Sequence, residues 1–220
     1  MIIAIDGPAG AGKSTVAKAV ARALEFGYLD TGAMYRAITF QALETKTGLE
    51  DETALGELAE AALLELSDSH IYLDGRDVTE AIRLPRVGGA VSFVSSAVTV
   101  RRRMVTKQRE VAAALKNVVV EGRDIGTVVF PDAEVKVFLT AGASERAARR
   151  LAELRTKGLD VEAAAVEKEL LERDRLDSRR DVSPLLQAPD AQLIDTTDKT
   201  VDDVVQAIKI MAEAVGGRDR

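Results

Sequence analysis

The residues best suited to chemistry in this chain form a glycine-rich loop close to the start of the sequence. Residues 7–14 read Gly7-Pro8-Ala9-Gly10-Ala11-Gly12-Lys13-Ser14, the complete Gly-x4-Gly-Lys-Ser pattern of a phosphate-binding loop. An apolar run at 2–5 predicts a buried strand before the loop, and apolar residues at helical spacing predict a helix starting near Lys13. Amides exposed by the glycines and the positive end of the helix dipole suit a bound phosphate. The sequence therefore predicts a nucleoside triphosphate site rather than a glycine-rich turn with an exposed lysine.

Three side chains have predicted roles around this triphosphate. Lys13 is expected to reach the β- and γ-phosphates, and the Ser14 hydroxyl is expected to ligate Mg2+. Glu121, which follows a valine run, is expected to order the water shell of that metal. The sequence thus predicts phosphoryl-transfer chemistry.

A second group of polar residues follows the valine run at 118–120. Glu121-Gly122-Arg123-Asp124 should lie at the carboxyl edge of the sheet, where such folds bind ligands. A solvated turn with a local ion pair is the alternative. Asp30 and Thr31 are expected at the same edge, either as helix caps or as substrate contacts, and Asp6 is expected to act only indirectly.

The later part of the chain is rich in arginine. Residues 172–181 mix acids with arginines, a pattern typical of a solvated, ion-paired helix face. Arg146, Arg149 and Arg150 share one helix face by their spacing. They form either a mobile lid over a triphosphate or an exposed basic stripe.

Composition narrows the chemistry open to this chain. With no cysteine and a single histidine, His70, thiol nucleophiles, disulfides and histidine metal clusters are excluded. A formal net charge of −6 disfavours a broad nucleic-acid surface. The 220 residues, 46% hydrophobic, predict one well-buried core without a membrane span or secretion signal. A cytoplasmic monomer with neither nucleic-acid nor membrane partners is expected.

Strand patterns alternate with helix patterns, which predicts an α/β fold with a parallel central sheet flanked by helices. The predicted strands are 2–5, 28–30, 118–120, 135–139 and 192–195. Helical patterns follow the phosphate loop and occupy 33–43, 85–116, 144 to about 180, and 201 to about 215. A further helix within 45–66 has Asp51 as candidate cap and Leu66 on its apolar face. Two short strands joined at Asp74-Gly75 predict a small inserted hairpin.

Three phrases together resemble the bacterial cytidylate kinase family: residues 7–15, 28–36 and 121–133. The third, Glu121-Gly122-Arg123-Asp124-Ile125-Gly126-Thr127-Val128-Val129-Phe130-Pro131-Asp132-Ala133, is far more specific than the phosphate loop, as is Arg180-Asp181-Val182-Ser183-Pro184-Leu185. The resemblance spans nearly the whole chain. It implies a three-layer P-loop kinase fold that transfers the γ-phosphoryl group of ATP to CMP or dCMP with Mg2+. Glu121 and Thr31 replace the Asp and Ser of many relatives, and each keeps the needed acceptor or hydroxyl.

The resemblance also implies a single domain over residues 1–220 with three parts. These are a core at 1–30, 86–140 and 181–220, a monophosphate-binding part with the inserted hairpin at about 31–85, and a helical lid at about 145–175.

Site residues carry over by motif. The resemblance implies that the acceptor phosphate is bound by Arg36, Arg101 and Arg180. It implies that the cytosine edge is recognised by Ser92, Arg123 and Asp124. It implies that the ribose is bound by Arg173 and Asp177, and that Thr31 also belongs to the acceptor site. The implied ATP contacts are Gly7, Pro8, Ala9, Gly10, Ala11, Gly12, Lys13, Ser14, Thr15 and the lid residues Arg149 and Arg150. The catalytic set is Lys13, Arg123 and Arg180.

Other functions fit the sequence less well. A kinase of UMP, dTMP or shikimate would use the same phosphate loop, but the phrase beginning at Glu121 argues against it. A GTP-driven switch would need an Asn-Lys-x-Asp guanine reader, which residues 197–200 do not supply. A nucleic-acid motor would need a larger basic track than the net charge suggests.

Overall fold

The chain divides into two compact units. The first contains Met1–Phe26 and the chain from Asn117 onward, and the second is Gly27–Lys116. The structure, a computed structural model, describes residues 1–67, 70–156, 158 and 160–217. The described residues leave out 68–69 of the predicted monophosphate-binding part, 157 and 159 of the predicted lid, and 218–220 of the predicted core.

Strands and helices are interspersed along the chain, with pairs of helices and one run of three short strands rather than strict alternation. In chain order the elements are β1 (Ile2–Asp6), α1 (Lys13–Leu24), β2 (Gly27–Asp30), α2 (Thr31–Glu44), α3 (Glu52–Ala61), β3 (Leu64–Leu66), β4 (Ile71–Leu73), β5 (Arg76–Asp77), α4 (Pro85–Ser96), α5 (Val98–Leu115), β6 (Val118–Gly122), β7 (Val135–Thr140), α6 (Ala143–Thr156), α7 (Ala163–Ser178), β8 (Gln192–Asp195) and α8 (Val201–Gly216). Of the described helices, none is both long and apolar enough to cross a bilayer.

The first unit is built on a parallel sheet. Its strands lie side by side in the order β6, β1, β7 and β8. The β6 residues Val118, Val119 and Val120 are fully buried, as expected of a strand covered on both faces. Helices α1 and α8 pack against each other, α1 on β6 and α8 on β7. The predicted α/β class, with a parallel sheet flanked by helices, is confirmed.

The register of β1 and β6 decides where the functional loops leave the sheet. Asp6 lies beside Gly122, so the two parallel strands end at the same edge. The phosphate loop follows β1, and the loop carrying Arg123 and Asp124 follows β6. Both loops therefore begin next to each other, as the sequence predicts.

The second unit confirms the predicted hairpin and corrects the helix before it. Strands β4 and β5 turn through Asp74 and Gly75, whose φ angles are 52° and 78°. The expectation that Leu66 lies on a helix is wrong, because α3 ends at Ala61 and β3 pairs antiparallel with β4. Asp74 fixes this change of direction: its Oδ1 accepts from the Leu63 amide and its own amide donates to the Leu63 carbonyl oxygen, both at 2.9 Å. Pairing with the hairpin overrides the helical pattern.

Helix ends were predicted less well than helices. The pattern over 85–116 is two helices, α4 and α5, separated at Ala97 by extended backbone. The pattern over 144–180 is likewise two helices, α6 and α7. Asp51 caps α3 as predicted. The cap of α2 is Asp30, which accepts from the Ala33 amide at 2.9 Å, and Thr31 is the first helical residue rather than the cap.

Candidate active site

The phosphate loop requires glycine at positions where a side chain would not fit. Gly7 has a φ of 148°, and a Cβ there would lie 2.0 Å from the carbonyl oxygen of Leu139. Gly12 has a φ of 86° and is the N-cap of α1, where it has no side chain with which to cap the first turn. The first-turn amides of a helix that no side chain caps favour an anion. The loop therefore has the backbone shape that phosphate binding needs.

Lys13 lies buried at the start of α1. Its Nζ donates to the carbonyl oxygen of Pro8, within the loop, at 2.7 Å. Burial lowers the pKa of Lys13, and the charges of Arg123 and Arg173 lower it further against the opposing effect of Glu121. A polyanion bound here would favour the charged lysine and offset these effects. The electrostatics of the loop thus favour a phosphate ligand.

A hydroxyl and a carboxylate meet beside the loop. Ser14 Oγ, in the first turn of α1, donates to Glu121 Oε2 of β6 at 2.9 Å. Mg2+ takes oxygen ligands and keeps several waters, so this pair fits a magnesium site shared with a phosphate. In the part of the chain that the structure describes, no cluster of three or more histidine or acidic side chains is placed to hold a metal by itself.

Asp6 holds the second loop in place. Its two carboxylate oxygens accept from the amides of Ile125 and Gly126, each at 2.8 Å, in a π-helical turn over Ile125–Val129. Burial raises the pKa of Asp6 to about 6, although the two amide hydrogen bonds oppose the shift. These hydrogen bonds hold the chain directly after Arg123 and Asp124, and the expectation that Asp6 acts only indirectly stays a prediction.

The end of α7 brings four of the predicted acceptor residues together. Arg123 Nε donates to Asp177 Oδ2 at 2.9 Å, and Arg180 Nε donates to the Asp177 carbonyl oxygen at 3.3 Å. Burial would raise the pKa of Asp177, but the charges of Arg123, Arg173 and Arg180 outweigh it and hold that pKa below its usual value. The solvated helix face that the pattern at 172–181 favours is correct for Glu172 and Arg175 but not for Asp177, which is 3% exposed.

The predicted lid arginines of α6 have protein partners. Arg149 donates to the side-chain and carbonyl oxygens of Thr196 at 3.0 and 2.7 Å, and Thr196 Oγ1 donates to the Ala11 carbonyl oxygen at 3.2 Å. Arg150 forms an ion pair with Glu153. Arg149 is thus connected to the phosphate loop, while Arg150 is engaged on its own helix.

Sequence reasoning missed the contact between α6, α7 and the phosphate loop. Arg146 is 7% exposed and donates to the Ala9 carbonyl oxygen, and Asp174 accepts from the Ala9 amide. The spacing of Arg146 left a mobile lid and an exposed basic stripe equally open, and the mixed run containing Asp174 favoured a solvated face. No local pattern identifies a pair that lies 28 residues apart.

In the second unit, Arg101 and Ser92 lie on neighbouring helices. Arg101 of α5 is 2% exposed, donates to the Ser95 carbonyl oxygen at 3.1 Å and lies over the Tyr35 ring at 5.4 Å. Ser92 lies on α4, three residues before Ser95, and is half-buried.

The other two predicted residues of this unit lie on α2. Thr31 is buried in the first turn. Arg36 donates to the Ile82 carbonyl oxygen at 3.4 Å and faces the start of α4, where a Cβ on Gly88 would lie 3.7 Å from its Nη1. Within this unit, Arg36 and Arg101 thus donate hydrogen bonds to backbone carbonyl oxygens, and Thr31 is buried.

Comparison with known proteins covers almost all of this chain. The profile of the family described as cytidylate kinase matches residues 3–214. The cytidylate kinase of Caldanaerobacter subterraneus subsp. tengcongensis is 53% identical over 206 residues, 94% of this chain and 92% of that protein. The cytidylate kinase of Shouchella clausii is 52% identical over 210 residues, 94% of this chain and 93% of that protein. The solved structure of TT1252 from Thermus thermophilus shares the fold, with a TM-score of 0.50 at 22% identity over 97% of each chain. From the family profile and these relatives, the chain belongs to the cytidylate kinase family.

Proposed function

We propose that this protein transfers the γ-phosphoryl group of ATP to CMP and dCMP, giving ADP with CDP or dCDP. The observation that carries the proposal is a group of positive charges at the phosphate loop. Buried Lys13 lies close enough to Arg123 and Arg173 for their charges to lower its pKa. Such a group suits a reaction in which both substrates are phosphate anions. Membership of the cytidylate kinase family supports a cytidine nucleotide as the acceptor.

The ATP phosphates are proposed to occupy the loop at 7–15. Lys13 donates to the Pro8 carbonyl oxygen, and a phosphate oxygen is a stronger acceptor for the same ammonium. Binding would therefore move Lys13 from the loop to the phosphates. Arg149 and Arg150 are proposed as further ATP contacts from α6.

Mg2+ is proposed to bind at Ser14, with Glu121 acting through water. When bound, the metal neutralises charge on the β- and γ-phosphates. The chain's own contribution is the hydrogen bond that holds the Ser14 hydroxyl against Glu121 Oε2 at 2.9 Å.

The acceptor phosphate and ribose are proposed to bind the residues that the family resemblance implies for them. The residues proposed for the phosphate are Arg36, Arg101 and Arg180, and those for the ribose are Arg173 and Asp177. Thr31 is proposed as a further contact of the acceptor. Guanidinium groups suit a phosphate because they donate two parallel hydrogen bonds.

Discrimination of the base is proposed to rest on Arg123, Asp124 and Ser92. Cytosine presents an exocyclic amine that donates hydrogen bonds, and a carboxylate accepts from that amine. Uracil presents a carbonyl oxygen at the same place, which a carboxylate does not bind. Asp124 therefore favours CMP over UMP.

The reaction needs no general base, because the acceptor phosphate is already an anionic nucleophile. Positioning and charge neutralisation supply the catalysis of such transfers. Lys13, Arg123 and Arg180 are proposed to hold the transferring group and its neighbours in line. Closure of a lid would exclude water and suppress hydrolysis of ATP.

The organisation implied by the resemblance is part of the proposal. It comprises a core at 1–30, 86–140 and 181–220, a monophosphate-binding part at about 31–85 and a lid at about 145–175. We further propose a cytoplasmic monomer that has no nucleic-acid partner.

The test is ADP release with Mg-ATP against equal concentrations of CMP, dCMP, UMP, AMP, dTMP and shikimate. We expect turnover mainly with CMP and dCMP. The matched variant Asp124→Asn keeps the size of the side chain, and it should lower the ratio of CMP to UMP turnover without changing the affinity for ATP. Strong turnover with shikimate or dTMP, or ADP release without any acceptor, would contradict the proposal.

A further inference from the structure

Ala9 of the phosphate loop is held on three sides by α6 and α7. Its amide donates to Asp174 Oδ1 at 3.1 Å, and its carbonyl oxygen accepts from Arg146 Nη1 at 2.9 Å. Its methyl group lies in an apolar cluster formed by the two helices. The other buried members of this cluster are Ala147, Leu154, Val166 and Leu170. The amide, the carbonyl and the methyl group of Ala9 therefore all contact residues of α6 or α7.

Arg146 and Asp174 also bind each other. Arg146 Nη1 donates to Asp174 Oδ2, and Arg146 Nε donates to the Ala141 carbonyl oxygen at 3.1 Å. The two side chains are only 8% and 17% exposed. A buried ion pair adds little net stability on average, but removing one partner is strongly destabilising because the other is left as an uncompensated charge. We refer to Arg146, Asp174 and Ala9 as the Ala9 clamp.

The clamp also bears on the next residue of the loop. Gly10 has a φ of 77°, and a Cβ there would lie 3.0 Å from the Cβ of Arg146 and 3.1 Å from its carbonyl oxygen. The α6 backbone therefore lies directly against the loop. The Ala9 amide belongs to the peptide unit that joins Pro8 to Ala9, and the Ala9 carbonyl belongs to the unit that joins Ala9 to Gly10. Rotation of either unit would break one hydrogen bond of the clamp, and rotation of the second would change the direction of the Gly10 amide.

We propose that Arg146 and Asp174 are positioning residues for the triphosphate: they fix the two peptide units that meet at Ala9, so that the following loop amides face the phosphates. The inference rests on the proposed function, because ATP is the ligand concerned. The effect is reciprocal. If contact with α6 and α7 strengthens binding of a triphosphate to the loop, binding of the triphosphate stabilises that contact by the same coupling free energy.

The experiment compares Asp174→Asn with Glu172→Gln. Asparagine replaces one of the two carboxylate oxygens by an NH2 group at nearly unchanged size. Because NH2 only donates, it cannot accept from whichever of the Ala9 amide and Arg146 it faces. Glu172 lies on the same helix in an exposed pair with Arg175 and is the matched control. Dissociation constants for Mg-ATP, Mg-tripolyphosphate and CMP are measured by calorimetry, with hydrogen exchange at the Ala9 amide.

Asp174→Asn should weaken binding of Mg-ATP and of Mg-tripolyphosphate by about tenfold to a hundredfold, the effect of losing a charge-assisted hydrogen bond. Its CMP affinity should stay within about twofold, because the clamp acts only on the loop. Exchange at Ala9 should accelerate, and Glu172→Gln should change none of these quantities.

Unchanged affinity for both triphosphates together with faster exchange at Ala9 would overturn the inference. Equal losses for CMP and ATP would also overturn it, since they indicate a general structural effect. Should Asp174→Asn fail to fold, Arg146→Lys applies the same criteria, because lysine cannot replace all three guanidinium contacts.

A wild-type measurement tests the clamp independently. Mg-tripolyphosphate should slow exchange in α6 and α7, and exchange unaltered by the ligand would overturn the inference. Failure of the proposed function looks different: the wild-type protein would then transfer nothing to CMP, while binding of tripolyphosphate still reports on the clamp.

Discussion

Replacing Asp177 with asparagine removes the carboxylate on which the charges of Arg123, Arg173 and Arg180 act. The ion pair with Arg123 is 2.9 Å long, and its side chains are 17% and 5% exposed. Breaking a buried pair by removing one partner costs about 3–5 kcal/mol, and the partial exposure of Arg123 lowers this to about 2–4 kcal/mol. For a chain of this size the melting temperature should fall by about 5–15 °C.

The effect has a defined pH dependence. The arginines hold the pKa of folded Asp177 below its usual value, although burial opposes them. The stabilisation is therefore complete above about pH 4, where unfolded aspartate is ionised, and is lost as the pH falls through the folded pKa. Melting temperatures of the wild type and Asp177→Asn, measured by circular dichroism from pH 7 to pH 3, should converge below about pH 4.

The control for this experiment is Glu172→Gln on the same helix. Glu172 pairs with Arg175 at the surface, so its replacement should leave the melting temperature within experimental error. A shift for Asp177→Asn no larger than that of the control would refute the reasoning. A difference that stayed constant down to pH 3 would do the same.

Three further substitutions test separate parts of the site. Lys13→Ala should lower kcat by at least about a hundredfold with an unchanged circular dichroism spectrum, because Lys13 is proposed to act on the transferring phosphate. Near-normal ADP release would contradict that role. Gly7→Ala places a Cβ 2.0 Å from the Leu139 carbonyl oxygen and should lower the free energy of unfolding by about 3 kcal/mol or more. In the control Gly75→Ala the Cβ meets nothing within 4 Å, so the loss should be only about 1–2 kcal/mol. Equal melting temperatures for the two variants would be incompatible with this geometry. Folded Asp6 keeps its proton up to about pH 6 instead of 3.8, so its contribution to stability falls by roughly 3 kcal/mol as the pH rises through that window. Asp6→Asn should flatten the dependence of melting temperature on pH between 4 and 6, and a slope equal to that of the wild type would count against the assignment.

The parts of the structure that follow from local physics were predictable from the sequence. The phosphate loop is fixed by its glycines together with the strand and helix on either side. Glu121 could be placed next to the loop because parallel strands end at a common edge, and its hydrogen bond to Ser14 agrees with that expectation. The inserted hairpin was marked by Asp74-Gly75, whose positive φ angles suit a tight turn.

The remaining features depend on partners distant in sequence. Leu66 fits a helical pattern, yet β3 forms because the strand at 71–73 offers backbone hydrogen bonds. The spacing of Arg146 allowed a lid or an exposed stripe, and the run containing Asp174 favoured a solvated face, but neither pattern reveals the contact of α6 and α7 with Ala9. Helical periodicity identifies a face, but it does not identify what that face contacts.

The most direct test of phosphoryl transfer to CMP is a single turnover with [γ-32P]ATP, Mg2+ and CMP in the presence of excess enzyme. The account predicts that the label passes to CDP, with little inorganic phosphate formed. Label found chiefly in inorganic phosphate, or retained in ATP while CMP is present, would contradict it.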